Sequence, residues 1–289
     1  MQSSQQNPLE AAGTYTFGGD LTVQRLGFGA MRITGDGIWG EPKDKQEAIN
    51  VLHRSLELGI NLIDTADSYG PEVSEKLIAE ALYPYPKNLV IATKGGYLRS
   101  GPNQWNPDGR PAHLREALEG SLRRLRVERI DVYQLHNVDP NVPLEDSLGT
   151  LAELQKAGKI RHIGVSNVNP AQLAQARKIV NVVSVQNRYN LTDRASEEVV
   201  GICEREGLGF IPWFPLATGE LARPGSRLDA IAKQHNAAPS QIALAWLLKR
   251  STTMLPIPGT SSVAHLEENI AGAGITLSDE EFKTLSTQA

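Results

Sequence analysis

Four side chains that can donate, accept or stabilise a proton stand at or near the ends of short apolar runs in this sequence. Asp64 and Tyr69 lie in INLIDTADSYG, Lys94 ends LVIATK, and His136 ends RIDVYQLH. Reduction of a carbonyl needs a hydride on carbon and a proton on oxygen, so a protein that performs it must place an acid beside a nicotinamide site. These residue types fit that requirement.

Tyr69 is the candidate acid. A free phenol has a pKa of about 10, and we expect a neighbouring Lys94 ammonium to lower it. Asp64 would pair with Lys94, and His136 would hydrogen bond the carbonyl oxygen. Each of these residues, taken alone, is more often structural. The prediction therefore depends on all four occurring together on successive strands.

The elements that must position these residues alternate along the chain. Strand candidates are VQRLGFGAM, INLIDTA, LVIATKG, RIDVYQLH, IRHIGVSN, VVSVQNRY, GFIPWFP and TMLPIPG. Amphipathic segments of helical length follow them near 44–58, 72–82, 112–126, 143–157, 170–178, 195–206, 226–236 and 263–271, with an extra helix in IALAWLLKR. Eight pairs predict an α/β fold, a (β/α)8 TIM barrel, formed by a single domain over 1–289. YTFGGDLTV predicts an N-terminal β-hairpin cap, and residues 1–12 are expected to be flexible.

Active sites of such barrels lie at the carboxyl ends of the strands. The residues at these positions are almost all polar or aromatic: Asp64, Lys94, His136, Ser166 with Asn167, Gln186, Trp213 and Thr260. A barrel with a purely structural role would not need an acid, a base, an imidazole and two amides at one level of successive strands. The pattern therefore predicts a catalytic mouth.

A second pattern, GDGIWG at 35–40, fits the glycine spacing of a dinucleotide fingerprint. In a Rossmann unit, however, those glycines lie directly between a strand and a helix. Here the predicted strand ends near Met31, and Glu41 and Pro42 follow the last glycine. We therefore interpret this segment as a loop that carries Trp39 over the barrel mouth.

Composition excludes several classes of function. A net charge of −4 and a pI near 5.9 give no general attraction to nucleic acid or anionic lipid. No apolar stretch approaches the roughly 20 residues that span a bilayer, and the amino terminus lacks the features of a secretory signal. We expect a cytoplasmic monomer with no nucleic-acid or membrane partner. A single cysteine, Cys203, allows neither an internal disulfide nor a cysteine metal cluster, and no metal site is predicted.

From RLGFGAMR to PGTSSVAHLEEN the chain resembles the aldo-keto reductases, and within them a bacterial subgroup that includes pyridoxal reductases. NLIDTADSYG, IATKGG and YQLHNVD look like the family segments that carry the catalytic residues, here Asp64, Tyr69, Lys94 and His136. The resemblance implies that NADPH, or NADH, is held by Gly29, Ala30, Met31, Asp64, Ser166, Asn167, Gln186, Trp213, Phe214, Pro215, Leu216, Gly259, Thr260, Ser261, His265, Glu268 and Asn269.

The resemblance also identifies one departure. Many relatives have Arg or Lys among the positions taken here by Gly259, Ser261 and His265, where the adenosine 2′-phosphate binds. NADPH is still favoured, with Thr260, Ser261 and His265 as the phosphate ligands. The substrate is expected to be an aldehyde or ketone, with pyridoxal as one candidate, and to contact residues that include Trp39, Tyr97, Trp105, Asn137 and Trp213.

Two other functions remain open at this point. In a Schiff-base lyase or aldolase barrel, Lys94 would be the nucleophile and Tyr69 a proton relay. That interpretation gives no reason for Gln186 or Trp213. In a redox sensor, the same fold would bind a nicotinamide nucleotide without turnover. A complete set of four catalytic residues argues against a loss of chemistry.

Overall fold

The structure, a computed structural model, describes residues 7–216 and 225–287. The strands are β1 Thr14–Phe17, β2 Leu21–Gln24, β3 Phe28–Gly29, β4 Leu62–Asp64, β5 Val90–Gly95, β6 Tyr97–Leu98, β7 Asn106–Pro107, β8 Ile130–Leu135, β9 Ile160–Ser166, β10 Val182–Arg188 and β11 Gly209–Trp213. The α-helices are α1 Pro8–Ala12, α2 Lys45–Glu57, α3 Val73–Leu82, α4 Pro111–Leu125, α5 Leu144–Lys156, α6 Pro170–Ile179, α7 Glu197–Glu206, α8 Arg227–Gln234, α9 Pro239–Arg250, α10 Val263–Gly272 and α11 Asp279–Ser286. A 3-10 turn, Ala30–Ile33, follows β3.

Seven parallel strands form the barrel wall in the order β11, β10, β9, β8, β5, β4, β3. The segment predicted as the eighth strand closes the ring in an irregular form. Leu255 N donates to the Phe210 carbonyl at 2.8 Å, and Gly27 N donates to the Pro256 carbonyl at 3.0 Å. Pro256 and Pro258 lack the N–H donors of a regular ladder, so the predicted eighth strand is corrected to an irregular segment. The predicted (β/α)8 barrel is confirmed.

The predicted hairpin caps the amino-terminal end of the barrel. β1 and β2 pair antiparallel, and their apolar side chains join residues of the barrel interior in one buried cluster that includes Phe17, Leu21, Val23, Leu62, Val90, Val132, Val183 and Ile211. Asp20 at the hairpin turn accepts hydrogen bonds from Arg161 at 2.8 Å and from His162 at 2.6 Å. The hairpin therefore fills and ties down the end of the barrel opposite the predicted active site.

Two terminal helices differ from expectation. Residues 1–12 were expected to be flexible, yet α1 forms over Pro8–Ala12, because Asn7 caps it and Leu9 is fully buried; residues 1–6 lie outside the described residues. Helix α11 has no counterpart in the sequence analysis. A capping box between Ser278 and Glu281 begins it, which was a readable signal.

The remaining helices pack their apolar faces on the outside of the strands in one continuous core. Cys203 on α7 belongs to this core, and burial raises the pKa of its thiol to about 12, as expected for a structural cysteine. Within 7–216 and 225–287, no helix is long and apolar enough to cross a membrane. The same ranges contain no cluster of three or more His, Cys, Asp or Glu side chains able to hold a metal ion.

Candidate active site

Lys94 joins Asp64 and Tyr69 in one buried hydrogen-bonded unit. Its Nζ donates to Asp64 Oδ1 at 2.5 Å, to the Thr65 carbonyl at 2.8 Å and to Tyr69 Oη at 3.1 Å. An ammonium has three N–H donors, so all three are used. Because Tyr69 Oη accepts from Lys94, the hydroxyl proton of Tyr69 is directed elsewhere, and the phenol lines the cavity at the barrel mouth.

Two buried amides complete the environment of Asp64. Its Oδ2 accepts from Gln134 Nε2 at 3.1 Å and from Gln186 Nε2 at 2.8 Å. Gln134 lies beside Lys94 across the β5–β8 ladder and beside Gly164 across the β8–β9 ladder. A Cβ on Gly164 would lie 2.9 Å from Gln134 Cγ, so glycine leaves room for this side chain. Sequence analysis missed Gln134, although a glutamine inside an apolar strand is a signal in itself.

Burial and the neighbouring charges determine the pKa values in this unit. Burial penalises the Lys94 ammonium, but Asp64 and Tyr69 outweigh it and raise the pKa of Lys94. Burial also disfavours the phenolate, and it outweighs the opposing effect of the Lys94 charge, so the pKa of Tyr69 is raised. The expected lowering of the phenol pKa was therefore wrong. Tyr69 is a protonated phenol at neutral pH and so holds a proton that it can donate.

His136 lies beside Tyr69 as a neutral imidazole. Its Nδ1 is 3.3 Å from Ser68 Oγ, and its ring packs edge-on against Tyr97 with the centroids 4.7 Å apart. Burial, the Lys94 cation and the Arg99 cation together keep the pKa of His136 well below its usual value. In the tautomer in which Nδ1 accepts from Ser68, Nε2 carries the proton and is a hydrogen-bond donor.

A cavity of about 750 Å³ opens from these residues across the barrel mouth. Its catalytic end is lined by Asp64, Tyr69, His136, Tyr97, Trp105 and Ile38. Its middle is lined by Gly29, Met31, Ser166, Asn167, Gln186, Trp213, Phe214, Pro215, Leu216, Ile257 and Pro258. Its far end, called the phosphate end because the sequence predicts that the 2′-phosphate binds there, is lined by Arg32, Ser240, Gly259, Thr260, His265, Glu268 and Asn269. Most residues predicted to bind cofactor therefore share one cavity with Asp64, Tyr69 and His136.

Asn167 holds the aromatic wall in the middle of the cavity. Its Oδ1 accepts from Trp213 Nε1 at 3.0 Å, and its Nδ2 donates to the His136 carbonyl at 3.1 Å. Ser166 Oγ donates to the Gln186 carbonyl at 2.7 Å. The indole of Trp213 is thus fixed by the residue directly after β9.

The phosphate end contains a cation that sequence analysis did not assign. A Cβ on Gly259 would lie 2.5 Å from the Gly29 carbonyl oxygen, so position 259 has no room for a side chain. The same Cβ would lie 3.5 Å from Arg32 Cγ, so the stem of Arg32 covers this glycine. Arg32 is exposed, and it forms no hydrogen bond or ion pair with another described residue.

Four predicted contact residues do not line the cavity: Ala30, Ser261, Trp39 and Asn137. Ala30 is buried in the 3-10 turn. Trp39 forms a bridge with Gly70, and the neighbouring Ile38 lines the cavity in its place. Asn137 Nδ2 donates to the Val138 carbonyl at 2.9 Å. Contact of these four with cofactor or substrate remains a prediction.

Arg99 ties together the loops around the catalytic end, and sequence analysis gave it no role. Its side chain donates to the Gln104 carbonyl at 2.8 Å, the Ser68 carbonyl at 2.8 Å and the Gly37 carbonyl at 3.1 Å. Its guanidinium carbon lies 3.8 Å from the ring centroid of Trp105. Arg99 thus links the GDGIWG loop to the β6–β7 hairpin and to Ser68, the residue before Tyr69.

Comparison with known proteins gives the family. The sequence model of the Aldo/keto reductase family matches residues 25–288. The chain belongs to the aldo/keto reductase family. This membership favours an oxidoreductase over the lyase and sensor alternatives, and the four residues predicted to carry out carbonyl reduction, Asp64, Tyr69, Lys94 and His136, lie together in the structure.

Individual relatives agree with the family. The chain is 56% identical to an uncharacterized oxidoreductase of Schizosaccharomyces pombe over 93% of this chain and 88% of that protein. It is 45% identical to pyridoxine 4-dehydrogenase of Escherichia coli over 95% of this chain and 98% of that protein. An aldo/keto reductase of Klebsiella pneumoniae, crystallised with NADP and acetate, superposes with a TM-score of 0.80 at 26% identity, covering 95% of this chain and 94% of that chain.

Proposed function

We propose that this aldo/keto reductase reduces aldehyde or ketone carbonyls to alcohols with NADPH, and that Tyr69 donates the proton. The observation that carries the proposal is the bonding of Lys94, whose three donors bind Asp64, Thr65 and Tyr69. This arrangement holds a protonated phenol at the catalytic end of the cavity.

The protein residues act on the carbonyl oxygen. The proton of Tyr69 points away from Lys94, and Nε2 of the neutral His136 donates a hydrogen bond to the same oxygen. As negative charge develops on that oxygen, the Tyr69 proton transfers to it, and the Lys94 ammonium stabilises the phenolate left behind. Asp64, held by Gln134 and Gln186, keeps Lys94 charged and in place.

The cavity fits a nicotinamide dinucleotide. When bound, the cofactor supplies the hydride that adds to the carbonyl carbon. Ser166, Asn167 and Gln186 offer polar groups for its carboxamide, and Trp213 offers a flat surface for its ring. At the phosphate end, Arg32 supplies the cation that Gly259 cannot, and it would hold the 2′-phosphate together with Thr260 and His265. Arg pairs with phosphate by bidentate hydrogen bonds, which favours NADPH over NADH.

The substrate class is an aldehyde or ketone with a flat or aromatic frame. Tyr97 and Trp105 line the catalytic end, and the Escherichia coli relative is a pyridoxine 4-dehydrogenase, which supports pyridoxal as the first substrate to test.

We also propose that the chain acts as a cytoplasmic monomer and folds as one domain, in keeping with its composition. Light scattering of the purified protein tests its oligomeric state.

An NADPH oxidation assay across a panel of aldehydes that includes pyridoxal tests the proposed function, with NADH in parallel. We expect turnover with aromatic aldehydes and faster turnover with NADPH than with NADH at equal concentration. Absence of NADPH oxidation with every aldehyde and ketone contradicts the proposal. Borohydride trapping of substrate on Lys94 would instead identify a Schiff-base enzyme.

A further inference from the structure

We propose that Arg99 makes the catalytic end of the cavity electropositive, so that the enzyme selects flat carbonyl compounds with an anionic group over equivalent cationic ones. This inference rests on the proposed carbonyl reduction. The inference is based on the position of the Arg99 guanidinium, whose carbon lies 3.8 Å from the ring centroid of Trp105. Trp105 lines the cavity, whereas Arg99 does not.

The charge of Arg99 has no acidic partner among the described residues. Its hydrogen bonds go to backbone carbonyls, those of Ser68, Gly37, Gln104 and Gly101. Carbonyl groups carry no net charge, so they orient the guanidinium without neutralising it. Its positive charge therefore remains to act on the catalytic end.

The other charged groups around this end cancel or are neutral. Lys94 is paired with Asp64, and the buried Glu75 is paired with Arg124 at 2.6 Å. Burial and the neighbouring Glu75 raise the pKa of Asp67 to about 8, which leaves this carboxyl largely protonated at neutral pH. Arg99 is the one cation close to His136 whose charge is not balanced within the described residues.

The charge of Arg99 acts on the substrate across the Trp105 ring. A cation stacked on one face of an indole draws electron density toward itself, so the other parts of the ring present a less negative surface to the cavity. An anionic or electron-rich aromatic ring beside Trp105 is stabilised, and a cationic one is repelled. Because Arg99, Tyr97 and Trp105 are each half-buried, water screens this interaction only in part.

Three para-substituted benzaldehydes of similar size test the inference: the carboxylate, its neutral methyl ester and the trimethylammonium derivative. The measured quantity is kcat/KM for each in the wild-type protein, Arg99→Gln and Arg99→Lys. Comparison between proteins removes the intrinsic reactivity of each aldehyde. We expect Arg99→Gln to lower the ratio of carboxylate to trimethylammonium by roughly ten- to a hundredfold, while Arg99→Lys retains it.

Lys43→Gln is the matched control. It also removes one positive charge, from an exposed ion pair with Asp36 on the loop whose Gly37 carbonyl Arg99 binds. We expect this control to leave the ratio unchanged. If Arg99→Gln lowers kcat/KM equally for all three aldehydes, Arg99 only holds the loops and the inference is overturned. Reduction of none of them by the wild-type protein would instead contradict the proposed function.

A measurement on the wild-type protein alone covers the case in which Arg99→Gln does not fold. The carboxylate benzaldehyde and its neutral methyl ester place the same aldehyde group at Tyr69 and His136 and differ by one charge at the para position, so their KM values can be compared directly. We expect the carboxylate to have an approximately tenfold lower KM. An equal or higher KM for the carboxylate overturns the inference.

Discussion

The two ends of the cavity are built in opposite ways. At the catalytic end, Asp64, Lys94 and Tyr69 are at most 7% exposed, and hydrogen bonds within the protein already use all three donors of Lys94. At the phosphate end, Arg32 and His265 are exposed, and Arg32 has no partner among the described residues. The catalytic geometry is thus fixed before any ligand arrives, whereas the phosphate end relies on the ligand to supply the missing partner.

The largest expected effect is that of Lys94→Met. The change leaves the buried Asp64 carboxylate without its cation, a situation that destabilises proteins by about 3–5 kcal/mol, and it removes the group that stabilises the phenolate. We expect turnover to fall by roughly 10²–10⁴-fold, with a lower free energy of unfolding in urea.

Lys76→Met is the matched control, because Lys76 forms an exposed ion pair with Glu72 on the surface, and such pairs contribute about 0–1 kcal/mol. A Lys94→Met protein that keeps its turnover and loses only stability would make the Lys94 and Asp64 pair structural. It would also contradict the difference drawn between the two ends of the cavity, because the hydrogen bonds of Lys94 would then not be an arrangement for catalysis.

Substitutions at the phosphate end are expected to weaken cofactor binding without affecting the fold. Arg32→Gln and His265→Ala should each raise the dissociation constant for NADPH by roughly ten- to a hundredfold, while NADH, which lacks the 2′-phosphate, is little affected. Fluorescence quenching measures both constants, with Trp213 as a reporter. Arg205→Gln, an exposed substitution on α7, is the control. If a substitution raises the dissociation constants for NADPH and NADH equally, the residue contacts the diphosphate or the adenine instead of the 2′-phosphate.

A smaller effect concerns Asp67, a buried carboxyl close to Tyr69. Asp67 is buried, its Oδ1 has no partner among the described residues, and its pKa is raised to about 8. Since a free carboxyl titrates near 3.9, the folded protein binds more protons than the unfolded chain between these values, and stability decreases as pH rises from about 4 to 8.

Asp67→Asn should remove this dependence. Urea unfolding at pH 5, 7 and 9 is expected to show the variant gaining stability relative to the wild type as pH rises to about 8, with no further gain above it. Asp36→Asn, at an exposed ion pair, is the control. A difference between variant and wild type that stays constant over this range would contradict the assigned pKa.

The sequence was sufficient to predict the barrel, the hairpin and the grouping of Asp64, Tyr69, Lys94 and His136, since each depends on local patterns such as INLIDTADSYG or YTFGGDLTV. It was insufficient where a side chain acts across the fold. Arg32 and Gly259 are 227 positions apart, and their contact arises only when the barrel closes. Arg99 resembles any loop arginine until the carbonyls of Ser68 and Gly37 surround it. The rise in the Tyr69 pKa was missed because two opposing effects had to be compared. Burial raises this pKa and the Lys94 charge lowers it, and the extent of burial is not known from the sequence.

The most direct test of the account is the reduction of one aldehyde by wild-type protein and by Tyr69→Phe, with the NADPH dissociation constant measured on both. Tyr69→Phe keeps the ring and removes only the hydroxyl. We predict a loss of turnover of roughly 10²–10⁴-fold with NADPH binding nearly unchanged, whereas Tyr97→Phe retains most of the activity. Normal turnover in Tyr69→Phe would contradict the assignment of Tyr69 as the proton donor.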